Sequence, residues 1–338
     1  MRDSGEARTG EAAMREAAMR ESGAGEAPTG EVPALDPLAL GATLYMPATR
    51  IDMLDVACGG KISGLRSIVL CLEDAVHETD VDDALINLQR LLAALACLPP
   101  TDGAPLLFVR PRGIGMAAQI AALPGAERLA GMVAPKVRPG EVGAWVAALG
   151  GSRLMLMPTL ETPETFDPGA MRDLRDELLV EGRGRILALR IGGNDLLACL
   201  GLRRIPGETV YEGPLGPLVA QLVGLMIPAG FALTAPVYDV VRDPATLARE
   251  AARDVAFGLS GKTAIHPMQV ATIHAAFAVR ASEIASARAV LAEEAKAVFQ
   301  HEGAMCEPSV HRAWARRILA RAALYGVAEE AWAADAVG

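Results

Sequence analysis

The sequence predicts an α/β fold, a closed (β/α)8 barrel followed by a C-terminal helical extension, on three observations. Short apolar runs bounded by Gly and Pro recur eight times between residues 44 and 267, the pattern of strands buried on both faces. The segments between them carry helical spacing. The runs start 23 to 44 residues apart over about 225 residues, which fits eight βα units of a closed barrel better than an open doubly wound sheet.

Residues 1–33 precede this pattern and place Glu at positions 6, 11, 16, 21, 26 and 31 among Ala, Gly, Arg and Met. A period of five matches neither the helix nor the strand repeat and leaves no face to bury, so this low-complexity extension is expected to be disordered, with Met14 and Met19 as alternative starts. The barrel domain is expected over residues 41–280. Its strand runs are Leu44 to Ala48, Ser67 to Asp74, Leu106 to Pro111, Gly131 to Lys136, Leu154 to Glu161, Ile186 to Asp195, Gly230 to Asp239 and Lys262 to Pro267. Between the second and third, Val81, Leu85, Leu88, Leu92 and Leu95 alternate at spacings of four and three, which predicts a helix over Asp80 to Ala96. Asp243-Pro244 opens another helix with N-cap and N1 chemistry. Residues 281–338 form the extension, with helices expected over Ser282 to Phe299 and Pro308 to Tyr325. In the second, Val310, Trp314, Ile318, Ala322 and Tyr325 make a packing stripe that needs either this barrel or a neighbouring subunit to cover it.

Bulk properties narrow the function. The 338 residues are 51% hydrophobic, ample for a large core, and the net charge of −9 argues against nucleic acid or an anionic membrane surface as partner. No apolar run has the length of a membrane span and the N-terminus lacks a signal-peptide core, so a cytoplasmic protein is expected. The five cysteines are scattered and never form a CxxC pair, and the five histidines show no zinc spacing. Gly192-Gly193-Asn194 fits neither a dinucleotide nor a Walker fingerprint.

The chemistry is expected where the strands end. Glu161 and Asp195 each terminate an apolar run and lie 34 residues apart, about one βα unit, so adjacent parallel strands bring both carboxylates to one rim. Two hard oxygen ligands with positions left for water and substrate suit Mg2+; the alternative is that each acid caps the helix that follows. Arg50, Glu73, Asp74, Arg110, Lys136 and His266 reach the same rim. Arg110 offers a planar fork for a substrate carboxylate, or an ion pair with Glu73 or Asp74. Those two acids are either partners of Arg110 or groups that orient metal-bound water.

In order along the chain, LYMPATR, VLCLEDAV, FVRPR, VAPK, LMPTLETP, LRIGGNDL, GKTAIHPMQ and GAMCEPSVHRA resemble the citrate lyase β-subunit-like and hydroxy-acid aldolase family of carbon–carbon bond lyases, over roughly residues 41 to 325. The resemblance is to the branch found among tellurium-resistance gene clusters. It implies a Mg2+-dependent TIM-barrel lyase, with Mn2+ as a substitute, assembled as a homotrimer or hexamer. It makes Glu161 and Asp195 the metal ligands, Arg110 the clamp on a 2-oxo acid carboxylate, and Glu73 and Asp74 the acidic pair beside the metal waters. Arg50 and Lys136 join Arg110 as substrate-binding residues. Relatives acting on acyl thioesters lend an acid to a neighbour's site from the C-terminal helices, and Met305-Cys306-Glu307-Pro308 is the matching stretch, with Glu307 where those relatives have Asp.

Two enzyme readings follow: cleavage of a hydroxy acid, free or as a coenzyme A thioester, into a 2-oxo acid and an enolate-derived fragment, or hydrolysis of a malyl-type thioester on the same scaffold. A third, from another class, is a non-catalytic ligand-binding or complex-forming barrel. Arg112, Arg138, Arg203 and Arg204 are candidates for the coenzyme A phosphates or plain surface charges.

Overall fold

In the computed structural model, which describes residues 35–182 and 184–328, each apolar run becomes a parallel strand hydrogen-bonded to the next. These are β1 (Gly41–Pro47), β2 (Ser67–Cys71), β3 (Leu106–Arg110), β4 (Gly131–Ala134), β5 (Met155–Leu160), β6 (Leu189–Ile191), β7 (Leu233–Thr234) and β8 (Gly261–Ala264). β8 pairs with β1, and a parallel bridge between Ala235 and Lys262 links the β7 end to β8, so the sheet closes and no edge is left unpaired. Around it run α1 (Met53–Ala57), α2 (Val81–Ala96), α3 (Ile114–Ala121), α4 (Val142–Ala148), α5 (Pro168–Val180), α6 (Gly193–Cys199), α7 (Leu215–Met226), α8 (Pro244–Ala256) and α9 (Met268–Phe277). The architecture is a (β/α)8 TIM barrel. The expected disorder of residues 1–33 lies outside the described residues. No helix among the described residues is long and apolar enough to cross a membrane.

Strand alternation divides the core in two. Ile68, Leu70 and Leu72 pack into the outer cluster with Leu88 and Leu92 of α2, while Val69, Phe108 and Met157 are buried outside that cluster, on the side facing the barrel axis. Each fully buried Leu contributes about 1.5–3 kcal/mol relative to exposure. The Asp243 carboxylate accepts the Thr246 N–H at 3.0 Å and Pro244 takes the first helical position of α8, as their sequence predicts.

An ion cluster sits between β8 and α8. All three protons of the fully buried Lys262 ammonium are directed at oxygen: Pro236 carbonyl at 2.9 Å, Glu250 at 2.8 Å and Asp254 at 2.8 Å. Arg204 pairs with the other oxygen of Glu250 at 2.6 Å, and the Tyr211 hydroxyl donates to Asp254 at 2.7 Å. Arg204 is therefore structural.

The extension differs from its expected two helices. α10 (Ala281–Leu291) stops eight residues early, and a hairpin of β9 (Phe299–His301) and β10 (Ala304–Cys306) follows before α11 (Pro308–Tyr325). Glu302 and Gly303, at φ 47° and 80°, make the two-residue turn with both φ positive that hairpins favour. Cys306 is thereby folded into a small core with Ile284, Val290 and Ile318. The stripe on α11 is also rotated: Ala315, Ile318 and Arg321 are buried, whereas Val310 and Trp314 are 65% and 39% exposed. Its buried apolar residues pack with α10, and Arg317, Arg321 and Tyr325 tie the helix to the barrel. Arg321 donates to the Phe277 carbonyl at 3.0 Å, satisfying the C-terminus of α9, and Arg317 donates to the Gly258 carbonyl at 2.7 Å.

At the same end, His274 Nε2 accepts the Ala42 N–H at 3.0 Å, and burial together with nearby Arg66 pushes the imidazole down to about 4. The unfolded chain takes up this proton near the ordinary value of 6.5 while the native state does not until about 4, so stability falls as pH drops through that window. Between about pH 7.5 and about pH 5 the denaturation midpoint of the native chain is expected to fall relative to that of His274→Gln. An equal fall in both proteins would assign it to other groups.

Candidate active site

The strand ends deliver charge to one mouth of the barrel, at a cavity of about 290 Å³ lined by Asp74, Arg110, Glu161 and Asp195 among the residues singled out from sequence. Glu161 directly follows β5 and is 3% exposed. Asp195 does not end a strand: β6 stops at Ile191, and Asp195 stands in the first turn of α6. It does not cap that helix, whose N-cap is Gly192 with no side-chain cap bond, and from the first turn it lines the cavity. Gly192 is required here, because a Cβ at that position would lie 2.2 Å from Glu161 Oε2.

Arg110, 7% exposed, is held by acids. Nε donates to Glu73 at 2.8 Å, and Nη2 lies 3.0 Å from Glu161 Oε1 and 3.4 Å from Asp74. The ion pair anticipated as an alternative for Arg110 is present, and the guanidinium also lines the cavity. Lys136 stands beside the mouth. Its Nζ contacts Glu73 at 2.5 Å and Asp74 at 3.1 Å and lies 3.7 Å from Asp195, while its backbone N–H donates to Glu161 Oε1 at 2.9 Å. That last contact is made with Lys136 at φ 51°, a left-handed conformation a side chain adopts only at a cost of about 1–3 kcal/mol.

Four carboxylates, Glu73, Asp74, Glu161 and Asp195, thus stand at or beside the cavity with three cations, Arg110, Lys136 and Arg190, an excess of negative charge in a half-buried space. Burial pushes Glu161 up to about 7; Arg110 opposes the shift and Asp195 adds to it. Burial works the same way on Glu73, but Arg110 and Lys136 prevail and hold it at about 2. Burial and the neighbouring Glu73 raise Asp74. Lys136 is raised above the ordinary lysine range because Glu73 and Asp74 outweigh its partial burial. A divalent cation fits this donor set: Mg2+ takes one or two carboxylates and leaves the remaining positions to water and substrate oxygens. Among the described residues no three His, Cys, Asp or Glu side chains converge as a cage, and the carboxylates that line the cavity are those of Asp74, Glu161 and Asp195.

Three expected site residues are placed elsewhere. Arg50 is half-exposed, pairs with Asp52 at 2.6 Å, and lines an adjoining cleft of about 260 Å³ rather than this cavity. Asp52 stands two positions after Arg50, and that short-range pair claims the guanidinium. His266 Nδ1 accepts the Met268 N–H at 3.2 Å and closes the turn into α9. Glu307 precedes α11, where Ser309 Oγ donates to it at 3.2 Å, and it does not line the cavity of its own chain. Of the cationic candidates, Arg112 donates to the carbonyls of Leu72 and Val76 at 3.0 and 2.7 Å, and Arg138 pairs with Glu164 at 3.2 Å.

A family model described as carbon–carbon bond lyase of the TIM-barrel fold matches residues 34–327. The chain belongs to this family. Within the carbon–carbon bond lyase family, the chain is 30% identical to a citrate lyase subunit beta-like protein of Deinococcus radiodurans over 293 residues, 82% of this chain and 96% of that protein. It is likewise 30% identical to a (3S)-malyl-CoA thioesterase of Cereibacter sphaeroides, over 83% of this chain and 94% of the relative. Among solved structures, a citrate lyase from Burkholderia xenovorans superposes with a TM-score of 0.67 at 20% identity, over 89% of this chain and 96% of that one. The Mycobacterium tuberculosis protein CitE, in complex with magnesium, acetoacetate and coenzyme A, gives a TM-score of 0.59 at 22% identity over 85% and 99%. These two confirm the barrel.

The cavity also exposes residues that the sequence did not single out: Tyr45, Thr159, Arg190 and Thr263. Three are neutral and carry no signal. Arg190 had one, a charged residue in the middle of the otherwise apolar run LALRIGG.

Proposed function

We propose that this lyase-family chain uses Mg2+, with Mn2+ as a substitute, to cleave a hydroxy acid or its acyl thioester into a 2-oxo acid and an enolate-derived fragment. The observation that carries the reading is the meeting of Glu161 and Asp195 in one cavity whose carboxylates outnumber the facing cations. Magnesium and an acid are also named with the structural relative CitE, which supports the choice of metal. When bound, the ion supplies a Lewis acid that steadies the negative charge developing on the carbonyl oxygen. Glu161 and Asp195 hold it. Arg110, kept in place by Glu73, presents its guanidinium to the oxo-acid carboxylate. Asp74 and Glu73 fix Lys136 as an ammonium beside the mouth, where it screens the acids and meets an entering anion. Removal of the substrate hydroxyl proton falls to a carboxylate acting as base, that of Asp74 at the mouth or that of Glu307 of a neighbouring copy. The second assignment requires the homo-oligomer that the resemblance implies, and a monomer in sedimentation would remove Glu307 from the reaction.

Similarity to the (3S)-malyl-CoA thioesterase favours a second reading, hydrolysis of the thioester. Product analysis with malyl-CoA and Mg2+ separates them. Carbon–carbon cleavage releases an oxo acid and leaves the thioester intact, whereas hydrolysis releases the free thiol. Neither product from this or related hydroxyacyl thioesters, nor an oxo acid from the free hydroxy acids, would contradict both enzyme readings.

Arg110→Lys keeps the charge and loses the fork. Oxo-acid affinity is expected to fall about tenfold or more in a calorimetric titration. Equal affinity would make Arg110 a structural partner of Glu73 alone.

A further inference from the structure

The barrel interior holds a charge that the proposed reaction does not use. Arg190, the middle residue of β6, is 1% exposed and lines the same cavity as Glu161 and Asp195. Buried guanidinium groups are ordinarily matched by carboxylates, as Arg110 is by Glu73 and Arg204 by Glu250. Arg190 is not: its partners among the described residues are the Thr263 hydroxyl at 2.6 Å, the Met157 sulfur at 3.9 Å and the face of Tyr45 at 5.2 Å. Beside it in the sheet register stands Thr159, 2% exposed, which lines the cavity and whose buried hydroxyl has no hydrogen-bond partner among the described residues. An apolar side chain would fill this space without the desolvation penalty of a buried charge, so packing does not account for an arginine.

We propose that Arg190, fixed by the Thr263 hydroxyl, is a specificity-determining residue that forms an anion subsite for a second carboxylate of the substrate. This rests on the reading above, in which the oxo-acid end of the molecule lies against Arg110, Glu161 and Asp195. The cavity then has two cationic anchors. Arg110 has its charge balanced by carboxylates and serves the reacting end, while Arg190 has its charge unbalanced and is completed by the ligand. The cavity volume of about 290 Å³, at the low end for small-molecule sites, suits a small diacid. A compound with one carboxylate leaves Arg190 unpaired and loses a charge-assisted contact.

The test is calorimetric titration, with Mg2+, of pyruvate and of oxaloacetate into the native chain and Arg190→Met. The native protein is expected to prefer oxaloacetate by about tenfold or more, and Arg190→Met to remove that preference while leaving pyruvate affinity within about twofold. Absence of a native preference, or a variant that weakens both acids equally or neither, would overturn the assignment. If no oxo acid binds the native chain, the proposed function fails on its own. The subsite is then decided by thermal stabilisation with malonate in the absence of metal: stabilisation of the native chain that Arg190→Met lacks supports it, and no such difference overturns it. Should Arg190→Met not fold, Thr263→Val replaces it, since it removes the hydroxyl that fixes the guanidinium. An unchanged preference in that variant contradicts the assignment.

Discussion

Asp195→Asn is expected to lower Mg2+-dependent turnover by about 10²–10³-fold, the scale on which losing one preorganised electrostatic contact slows an enzyme. The amide keeps the shape of the carboxylate and its place in the first turn of α6, so the backbone has no reason to move. It loses the negative charge and with it half of the carboxylate pair that Glu161 completes. The variant also loses a 3.7 Å ion pair with Lys136, whose side chain is 40% exposed and keeps Glu73 and Asp74 as partners, so the thermal midpoint is expected to stay within a few degrees. Turnover measured across a Mg2+ titration, with melting recorded in parallel, checks both parts. Native turnover in the variant would remove Asp195 from the metal site.

The second large effect is on stability. Lys262→Met is expected to destabilise the fold by about 3–5 kcal/mol, because it leaves the Asp254 carboxylate buried and unmatched rather than merely deleting a contact. Glu250 keeps Arg204, but Asp254 loses its 2.8 Å partner and retains the Tyr211 hydroxyl alone among its side-chain contacts. Burial raises Asp254 even with Lys262 present, so the variant is expected to take up a proton there and to recover part of its stability as the pH falls. Lys262→Met combined with Asp254→Leu removes both members and is expected to be more stable than the single variant. Denaturant unfolding of the three proteins decides the matter, and a single-variant loss under about 1 kcal/mol would show that the ions are not a structural unit.

Much of this architecture is legible in the residues themselves. Strands buried on both faces must be apolar, so the eight runs declare themselves, and a charged residue directly after such a run has only the barrel end to go to. That argument places Arg110 and Glu161 at the mouth. It sets Asp195 at a strand end, whereas β6 stops at Ile191, Gly192 lets the chain pass Glu161, and Asp195 stands in the first turn of α6. Arg50 fails for a different reason: the competing partner, Asp52, is local, and a short-range ion pair outbids a position across the mouth. The Lys262 cluster is not legible because its members come from β8, α8 and the loop holding Arg204, and no spacing along the chain records that meeting. Arg190 is hidden by its own strand, where one charge among apolar residues passes for an interruption in the pattern rather than a group that faces the cavity.

The central claim is that Glu161 and Asp195 together hold a divalent ion at an acid-binding site, and calorimetric titration of oxaloacetate tests it most directly. Binding to the native chain is expected to require Mg2+ and to be lost in Glu161→Gln, while the melting of that variant stays close to native. Equal binding with and without Mg2+, or undiminished binding by Glu161→Gln, would contradict the assignment of this site.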